Sequence, residues 1–317
     1  MTSDNSSSSF IEALQSGNVA LLGRFPKADR HCHSLFGASI ESIRDWSGNH
    51  IKDPPLRMAD FDEMRKYAHE ELYATIHNRV GFEFTAEQTI IEAIQDSVSI
   101  LEMSLDVIDT QYYETGIEGF IGFIESISAK YRGRIEFRPE LGVSKNRDPS
   151  TQIALATGCI ESAVFKSIDL YGNEYAQEPE AYTSLYRYAR KKGLKLKAHV
   201  GEFGGPDHIE RTLHALALDE IQHGVLAVES KPLMNNLRQE HIRLNVCPSS
   251  NVALSVSSDL AHHQIRSLVE NGVRVSINSD DKTIFGKTVT DEYLGLFQAG
   301  TLDVKELERI RLDSLKD

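Results

Sequence analysis

The sequence predicts an α/β protein built as a single (β/α)8 barrel, also called a TIM barrel. Eight short runs of apolar and β-branched residues alternate with helical segments, which is the pattern of successive βα units around a parallel sheet. The length of 317 residues suits one such barrel, which needs about 250 residues and grows by insertion. No internal repeat or composition break marks a second domain.

The strands and helices follow one another in a regular order. Helical segments include 181–192, which reads AYTSLYRYARKK and is stopped by Gly193, and 260–269. Basic residues and a glycine are expected at a helix C-terminus. Eight strands with helices between them predict closure into a barrel. The predicted strands cover residues 28–34, 97–107, 134–143, 164–170, 194–200, 220–224, 242–247 and 273–279.

Two segments lie outside this alternation at the amino-terminal end. Residues 1–9, MTSDNSSSS, are polar and low in complexity, so we predict a disordered tail that cannot bury enough surface to offset the entropy of ordering. The pattern FIEALQSGNVALL at 10–22 predicts a short amphipathic helix that closes the bottom of the barrel. The barrel domain is therefore expected to cover residues 10–317.

A long excursion separates the first two predicted strands, near residues 37–96. It contains Pro54 and Pro55 and helical patterns such as FDEMRKYAHEELYATI. An insertion after the first strand lies over the face where barrel active sites are built, which is where lids usually arise. We expect a helical lid there.

The composition excludes several classes of partner. The formal net charge is −13, whereas sequence-independent nucleic-acid binding needs clustered Lys and Arg, so no nucleic acid is expected and a small neutral or cationic ligand fits better. Cys32, Cys159 and Cys247 cannot all pair, and no secretion signal opens the chain. No stretch reaches the ~20 apolar residues of a membrane span. We expect a cytoplasmic protein without membrane attachment, and the sequence leaves its oligomeric state open.

The first candidate site is a pair of histidines at the end of the first predicted strand. His31 and His33 form HCH, and residues two apart on a strand point to the same side. Both imidazoles can therefore reach one metal ion. An H-x-H also occurs by chance, so two hydrogen-bonded histidines remain the alternative.

The fifth predicted strand contributes an imidazole and a carboxylate. His199 ends the run LKLKAH, and Glu202 follows in HVGE, where Gly201 lets the backbone turn sharply. This places both side chains at the same rim of the barrel. The alternative for Glu202 is the first-turn acid of the next helix, where it would complement the helix dipole.

The sixth and eighth predicted strands add three more candidates. IQHG supplies His223, and INSDD supplies Asp280 and Asp281. Adjacent half-buried carboxylates repel and are seldom left without a cation or donor, and a metal at Asp280 would compensate them. The alternative for Asp281 is a helix N-cap.

All of these candidates fall at carboxyl ends of predicted strands, where barrel active sites lie. His31, His33 and His199 with Asp280 leave a coordination position for water, which indicates catalytic rather than structural zinc. Glu202 and His223 are then the two candidates for acid–base work. The other histidines lie in helices or loops, where surface or core roles are expected: His50, His69, His77, His208, His214, His241, His262 and His263.

From about Pro26 onward the ordered motifs resemble those of the adenosine deaminase family within the amidohydrolase superfamily. PKADRHCH resembles the family's P-K-x-x-L-H-x-H, HVGE its H-A-G-E, IQHG its R-I-G-H-G, and SINSDD its S-I-N-T-D-D. IDLYGNE and CPSSN resemble its fourth strand end and its C-P-T-S-N. Six matches in the same order are far more specific than any single one.

The resemblance implies a fold, a cofactor and roles for individual residues. The fold is a barrel of the metal-dependent hydrolase type, with one zinc ion per chain. Glu202 is then the proton donor to purine N1, and His223 orients and deprotonates the zinc-bound water. The amide of Gly172 contacts N3 and Asp281 contacts N7. The zinc ligands implied are His31, His33, His199 and Asp280.

The implied activity is hydrolytic deamination of a 6-aminopurine, most simply adenosine or a modified or deoxy adenosine. The free base adenine or another aminopurine is the alternative substrate. Relatives usually read H-L-D-G, H-L-E-G or H-L-N-G after the second histidine, whereas this chain reads HSLFG at 33–37. Leu35 and Phe36 replace the polar residue that commonly meets the ribose, so we expect the purine to be recognised more strictly than the sugar.

Two rival functions stay open at this point. A two-metal amidohydrolase normally needs a lysine at the end of the fourth strand, but this position reads DLYG, and Lys166 lies earlier in the run. A catalytically silent ligand-binding relative is the other possibility. The zinc deaminases with H-x-E and P-C-x-x-C use a different fold, and that signature is absent.

Overall fold

A computed structural model of the chain describes the backbone of residues 3–316 and the side chains of residues 9–316. Eight parallel strands pair in sequence order around a barrel. A bridge between Cys32 and Asp280 joins the last strand to the first, and Asp280 N donates to His31 O at 3.1 Å. The strands are β1 (Lys27–His33), β2 (Val98–Asp106), β3 (Glu136–Ser144), β4 (Ser167–Tyr171), β5 (Lys195–Val200), β6 (Glu220–His223), β7 (Arg243–Val246) and β8 (Arg274–Ile277). The predicted fold class and all eight predicted strands are confirmed.

Helices fill the connections between strands. Short 3-10 segments cover Val107–Tyr112, Pro179–Tyr182 and Val225–Glu229, and a π-helical turn covers Ala68–Leu72. The α-helices are α1 (Ser3–Ser16), α2 (Val19–Leu22), α3 (Ile40–Ser47), α4 (Phe61–Tyr67), α5 (Tyr73–Ile76), α6 (Arg79–Gln95), α7 (Ile117–Lys130), α8 (Pro149–Ile160), α9 (Thr183–Lys191), α10 (Pro206–Leu216), α11 (Lys231–Gln239), α12 (Pro248–Ala253), α13 (Ile265–Glu270), α14 (Lys282–Phe285), α15 (Val289–Gln298) and α16 (Val304–Ser314).

The amino-terminal segment differs from the prediction. The disordered tail predicted for residues 1–9 is wrong from Ser3 onward, because α1 begins there; residues 1 and 2 lie outside the described part of the chain. The carboxyl half of α1 buries Phe10, Ala13 and Leu14, and this apolar anchor allows the polar residues before it to continue the helix. Phe10 packs edge-on against Phe25, with ring centroids 5.5 Å apart.

The lower interior of the barrel holds a buried ionic network rather than an apolar plug. Lys197 Nζ lies 2.5 Å from Glu102 Oε2 and 2.6 Å from Glu140 Oε2. Arg30 Nη1 lies 2.7 Å from Glu102 Oε1, and Arg30 Nε donates to Ser314 O at the end of α16. Buried charges are tolerated when they are paired and hydrogen-bonded, so this network forms a rigid floor beneath the carboxyl ends of the strands.

The excursion between β1 and β2 divides into two parts. The helix α6 packs against β2 and is the ordinary barrel helix of this βα unit. The remainder, which we name the helical insertion (residues 38–78), has a small core of its own that includes Ile43, Met64 and Leu72. This core reaches Leu254 at the end of α12 and Ile284 in α14, in the segments that follow β7 and β8. The insertion therefore lies over the carboxyl ends of the strands.

Two further observations concern the cysteines and the hydropathy of the helices. Cys32, Cys159 and Cys247 are all buried and free, as expected from their number and spacing. Among residues 3–316, no helix combines the length and the hydropathy that crossing a membrane requires.

Candidate active site

Five side chains converge at the carboxyl end of the barrel, and we name them the histidine–aspartate cluster: His31, His33, His199, His223 and Asp280. They come from the ends of four different strands, β1, β5, β6 and β8. The rings of His31 and His199 have centroids 4.6 Å apart, and His31 and His33 5.1 Å apart. All of these candidates therefore meet at one place.

Asp280 lies at the centre of this cluster. Its Oδ1 is 3.4 Å from His31 Nε2 and 3.9 Å from His33 Nε2, and its Oδ2 is 3.7 Å from His223 Nε2. Burial raises the pKa of this carboxyl, but the surrounding imidazoles outweigh burial and hold the pKa well below its usual range. Asp280 is therefore ionised and faces three ring nitrogens.

Backbone strain accompanies the cluster. Asp280 has φ 58° and His223 has φ 62°, a left-handed conformation that is uncommon for residues other than glycine. Such conformations cost about 1–3 kcal/mol each and collect at functional sites, where the surrounding structure holds them in place. The surrounding structure holds both residues in this conformation, and both side chains point into the cluster.

The donor set fits a metal ion. Both ring nitrogens of His31 are buried and have no hydrogen-bond partner, which is costly unless a ligand satisfies them. Burial lowers the pKa of His31 well below normal and lowers the pKa of His33 and His199 to about 4, so all three imidazoles are neutral and able to bind a cation. Nitrogens of these three residues lie within 4.8 Å of one another.

A partner from β4 orients one of these rings. His199 Nδ1 lies 3.2 Å from Asp169 Oδ1, which leaves Nε2 directed toward the cluster. Metal-binding histidines typically donate their second nitrogen to a carboxylate in this way. Burial raises the pKa of Asp169 to about 7, with the neighbouring His33 opposing it.

Cys247 also lies within reach of the cluster, in a group with His31, His223 and Asp280. Its thiol is buried, and burial raises its pKa well above normal. The sulfur donates weakly to Asn245 O at 3.8 Å. Because the thiolate is the form that binds metals, Cys247 is a poorer ligand than the neutral imidazoles.

Glu202 follows β5 and is buried beside the cluster. Its Oε1 lies 3.5 Å from His223 Nδ1 and accepts a hydrogen bond from Asn251 Nδ2 at 3.2 Å. The next helix, α10, starts only at Pro206, so Glu202 is not its first-turn acid. Burial raises the pKa of Glu202 well above normal, and the charge of Asp280 raises it further, so both effects favour the protonated carboxyl.

The loop that carries Glu202 is fixed by another carboxylate, Glu174. Its two oxygens accept four backbone hydrogen bonds of 2.7–3.2 Å, from the amides of residues 201–204. Gly201 has φ 79°, and a Cβ there would lie 2.5 Å from Ile209 Cδ1, so the turn requires glycine. Glu174 and Gly201 together set the position of Glu202.

The side-chain amide of Asn251 contacts both His223 and Glu202. Asn251 Nδ2 lies 3.3 Å from His223 Nδ1 and also donates to Glu202, while Asn251 Oδ1 faces His263 Nε2 at 3.3 Å. Burial lowers the pKa of His223 to about 4, with Asp280 opposing it, so the imidazole is neutral and can accept a proton.

Asp281 and Gly172 both line the same cavity. Asp281 occupies the N-cap position of α14, but its side chain makes no capping hydrogen bond and its Oδ1 is buried without a partner. Burial and the adjacent Asp280 raise the pKa of Asp281 well above normal. Gly172 follows β4 with φ 102°, a conformation that favours glycine.

A cavity of about 350 Å³ lies in front of the cluster, within the range of small-molecule sites. Its floor is the histidine–aspartate cluster with Glu202. Its roof is the helical insertion, which contributes Phe61, Met64 and Tyr73. Leu35 and Phe36, whose apolar character was noted in the sequence, also line it. The arrangement suits a flat, largely apolar ligand with a few polar atoms.

Sequence reasoning missed several residues that support the site. Asp169 orients His199, and Asn251 links Glu202 to His223, although both lie in motifs already singled out. His263 was expected to have only a surface or core role, yet it bonds Asn251. Its Nδ1 also accepts a hydrogen bond from Ile265 N, the first residue of α13, and this helix starts five residues later than predicted.

Sequence comparison places these features in a known family. The family profile described as adenosine deaminase matches residues 142–317. The putative adenosine/adenine deaminase of Treponema pallidum (strain Nichols) is 32% identical over 277 residues, which cover 87% of this chain and 93% of that protein.

Solved structures show the same fold. The crystal structure of adenine deaminase from Arthrobacter aurescens superposes with a TM-score of 0.78 at 21% identity, covering 91% of this chain and 93% of that one. An amidohydrolase from Burkholderia ambifaria with bound Zn gives a TM-score of 0.77 at 18% identity, covering 92% and 85%. The matched profile and the relative show that the chain belongs to the adenosine deaminase family, whose members are hydrolytic deaminases of cyclic amidines.

Proposed function

We propose that this chain removes the 6-amino group of a 6-aminopurine by hydrolysis, with one zinc ion per chain. The proposed ligands are His31, His33, His199 and Asp280. The observation that carries the proposal is that both ring nitrogens of His31 are buried without a hydrogen-bond partner. His31 Nε2 lies 3.4 Å from Asp280 Oδ1, and the other imidazoles of the cluster surround it. Zinc bound there supplies a water nucleophile at neutral pH, because it lowers the pKa of water from about 15.7 to about 7.

The two acid–base groups divide the proton transfers. Glu202 donates its proton to purine N1, which makes C6 electrophilic. His223, which is neutral, accepts a proton from the attacking water as the C6–O bond forms, and passes it to the amino nitrogen as the C6–N bond breaks and ammonia leaves. Glu202 regains a proton from the C6 hydroxyl as the carbonyl of the product forms. General acid–base catalysis of this kind contributes about 10²–10⁴-fold.

The purine is proposed to be held at its edges. In this proposal the protonated carboxyl of Asp281, whose Oδ1 is buried without a partner, donates a hydrogen bond to N7, and the amide of Gly172 donates one to N3. The helical insertion acts as a lid that keeps bulk water from the reacting atoms, because its apolar side chains roof the cavity.

Adenosine or a modified or deoxy adenosine is the first candidate substrate. The free base adenine is the second, and it is supported by the activity named for the Arthrobacter protein, while the name of the Treponema relative covers both substrates. Both carry the same reacting C6 and the same N1, N3 and N7 atoms, so the proposed roles hold for either.

A panel of aminopurines tests this proposal by ammonia release. The panel contains adenosine, 2'-deoxyadenosine, 5'-methylthioadenosine, adenine and 7-deazaadenosine, assayed with zinc-loaded protein. We expect deamination of at least one natural 6-aminopurine. The kcat/KM of its 7-deaza analogue should be reduced, by a factor of up to about ten, because Asp281 would lose its partner.

Two results would count against these assignments. Failure to release ammonia from every 6-aminopurine would overturn the proposed function. Equal kcat/KM values for a responsive substrate and its 7-deaza analogue would remove Asp281 as the group that binds N7. Protein treated with a chelator is the matched blank.

A further inference from the structure

One wall of the cavity has no role in the mechanism above, although it is polar and buried. It is formed at the end of β2 and in the 3-10 segment that follows, and we name its residues Ser104, Asp106 and Asp109 the β2 wall. All three line the cavity. Ser104 and Asp109 are 2% and 3% exposed. Buried polar groups need partners, so the wall requires a chemical explanation.

The order of the strands fixes which edge of the purine faces this wall. With N1 at Glu202 after β5, N3 at Gly172 after β4 and N7 at Asp281 after β8, the remaining atom, N9, lies between N3 and N7. The strands between β4 and β8 on that side of the barrel are β3, β2 and β1. In the proposed orientation, N9 and any group attached to it therefore point toward the β2 wall.

The members of the wall differ in their free capacity for hydrogen bonds. Asp106 is engaged: Oδ1 accepts from Ile108 N at 3.0 Å, and Oδ2 accepts from the Tyr171 hydroxyl. Ser104 Oγ is buried and has no partner. Asp109 bonds the backbone of Asp106, and burial together with the neighbouring Asp106 raises the pKa of Asp109 well above normal. The protonated form that this favours still keeps acceptor capacity on its carboxyl oxygens.

The oxygen atoms of the wall select the class of group that it can bind. Two carboxyls lie together, and Arg147, which lines the same cavity, is exposed. An O–H or N–H group of a ligand would find acceptor oxygens on this wall. Leu35 and Phe36 offer no such acceptor in their side chains.

We propose that Asp109, with Ser104 beside it, is the specificity-determining residue for the N9 side of the substrate, and that it accepts a hydrogen bond from a donor there. The donor is N9–H in a free base or a sugar hydroxyl in a nucleoside. This inference rests on the proposed function. It revises the expectation that the sugar side of the pocket is apolar, because the acceptors come from the β2 wall rather than from residues 33–37.

Paired substrates with and without the donor test the proposal. The pairs are adenine with 9-methyladenine, and adenosine with 2',3',5'-trideoxyadenosine. Each is assayed by ammonia release with the wild type, Asp109→Asn, which keeps the size of the side chain, and Asp109→Ala. Asp45→Asn, an identical change on the exposed face of α3, is the control, and thermal melting reports whether each variant is folded.

We expect the wild type to favour the donor-bearing member of a responsive pair by about tenfold or more in kcat/KM, and Asp109→Asn to reduce that preference at least about threefold. Asp45→Asn should leave it unchanged. An unchanged preference in both Asp109 variants, or none in the wild type, would overturn the role of Asp109 while deamination itself survives. Absence of deamination with every substrate would instead overturn the proposed function and this inference with it.

Discussion

Replacing Glu202 with Gln is expected to lower kcat by about 10²- to 10⁴-fold while bound zinc stays in place. The amide has the size of the carboxyl and can still pair with Asn251, but it cannot deliver a proton to N1. Unlike a variant of a proposed zinc ligand, Glu202→Gln should retain the metal, because Glu202 is not among the proposed ligands. Steady-state kinetics and metal analysis of the same preparation measure both quantities.

The control for this experiment is Glu125→Gln, the same chemical change on the exposed face of α7. It should turn over at the wild-type rate. If Glu202→Gln also kept the wild-type kcat, the proton donor would have to be another group. If Glu202→Gln lost its zinc, Glu202 would have to be counted among the metal ligands.

Replacing Asp280 with Ala is expected to abolish both metal retention and activity. Asp280 is the ionised carboxyl at the centre of the histidine–aspartate cluster, and its removal takes away a negative charge that faces His31 and His33. Loss of an outer partner of a metal ligand commonly costs about 10- to 100-fold in affinity, so loss of a ligand should cost more. Zinc content after gel filtration, with ammonia release, measures the effect.

Asp169→Asn provides a graded comparison for this prediction. It changes the partner of His199 Nδ1 without removing a proposed ligand, so we expect weakened rather than absent zinc binding, by about 10- to 100-fold. Full zinc occupancy in Asp280→Ala, or equal losses in both variants, would contradict the proposed division between ligands and their partners.

The strands could be predicted from the sequence because each is a short apolar run between turn or helix signals. Every observed strand end lies within three residues of the predicted one, and the convergence of His31, His199 and Asp280 follows from their positions at those ends. In a parallel barrel the carboxyl ends meet on one face, so a linear pattern is enough to predict the cluster.

Other features depend on contacts between distant parts of the chain. Asn251 contacts Glu202 and His223, both of which lie more than 20 positions away in sequence. The residue pattern of helix α12 does not reveal these contacts. The β2 wall was missed for the same reason: Asp109 is an ordinary first-turn acid of a 3-10 segment in sequence, and only the closed barrel brings it to the cavity. The helix that replaces the predicted tail depends on the burial of Phe10.

Titration of metal-free protein with zinc is the most direct test of the proposed active site. Ammonia release from the best substrate of the panel is followed as zinc is added. Activity should rise linearly and stop rising at one zinc per chain, because the four proposed ligands hold one ion and leave an open position for water. A break at two zinc ions per chain, or full activity in protein shown to contain no metal, would contradict the account.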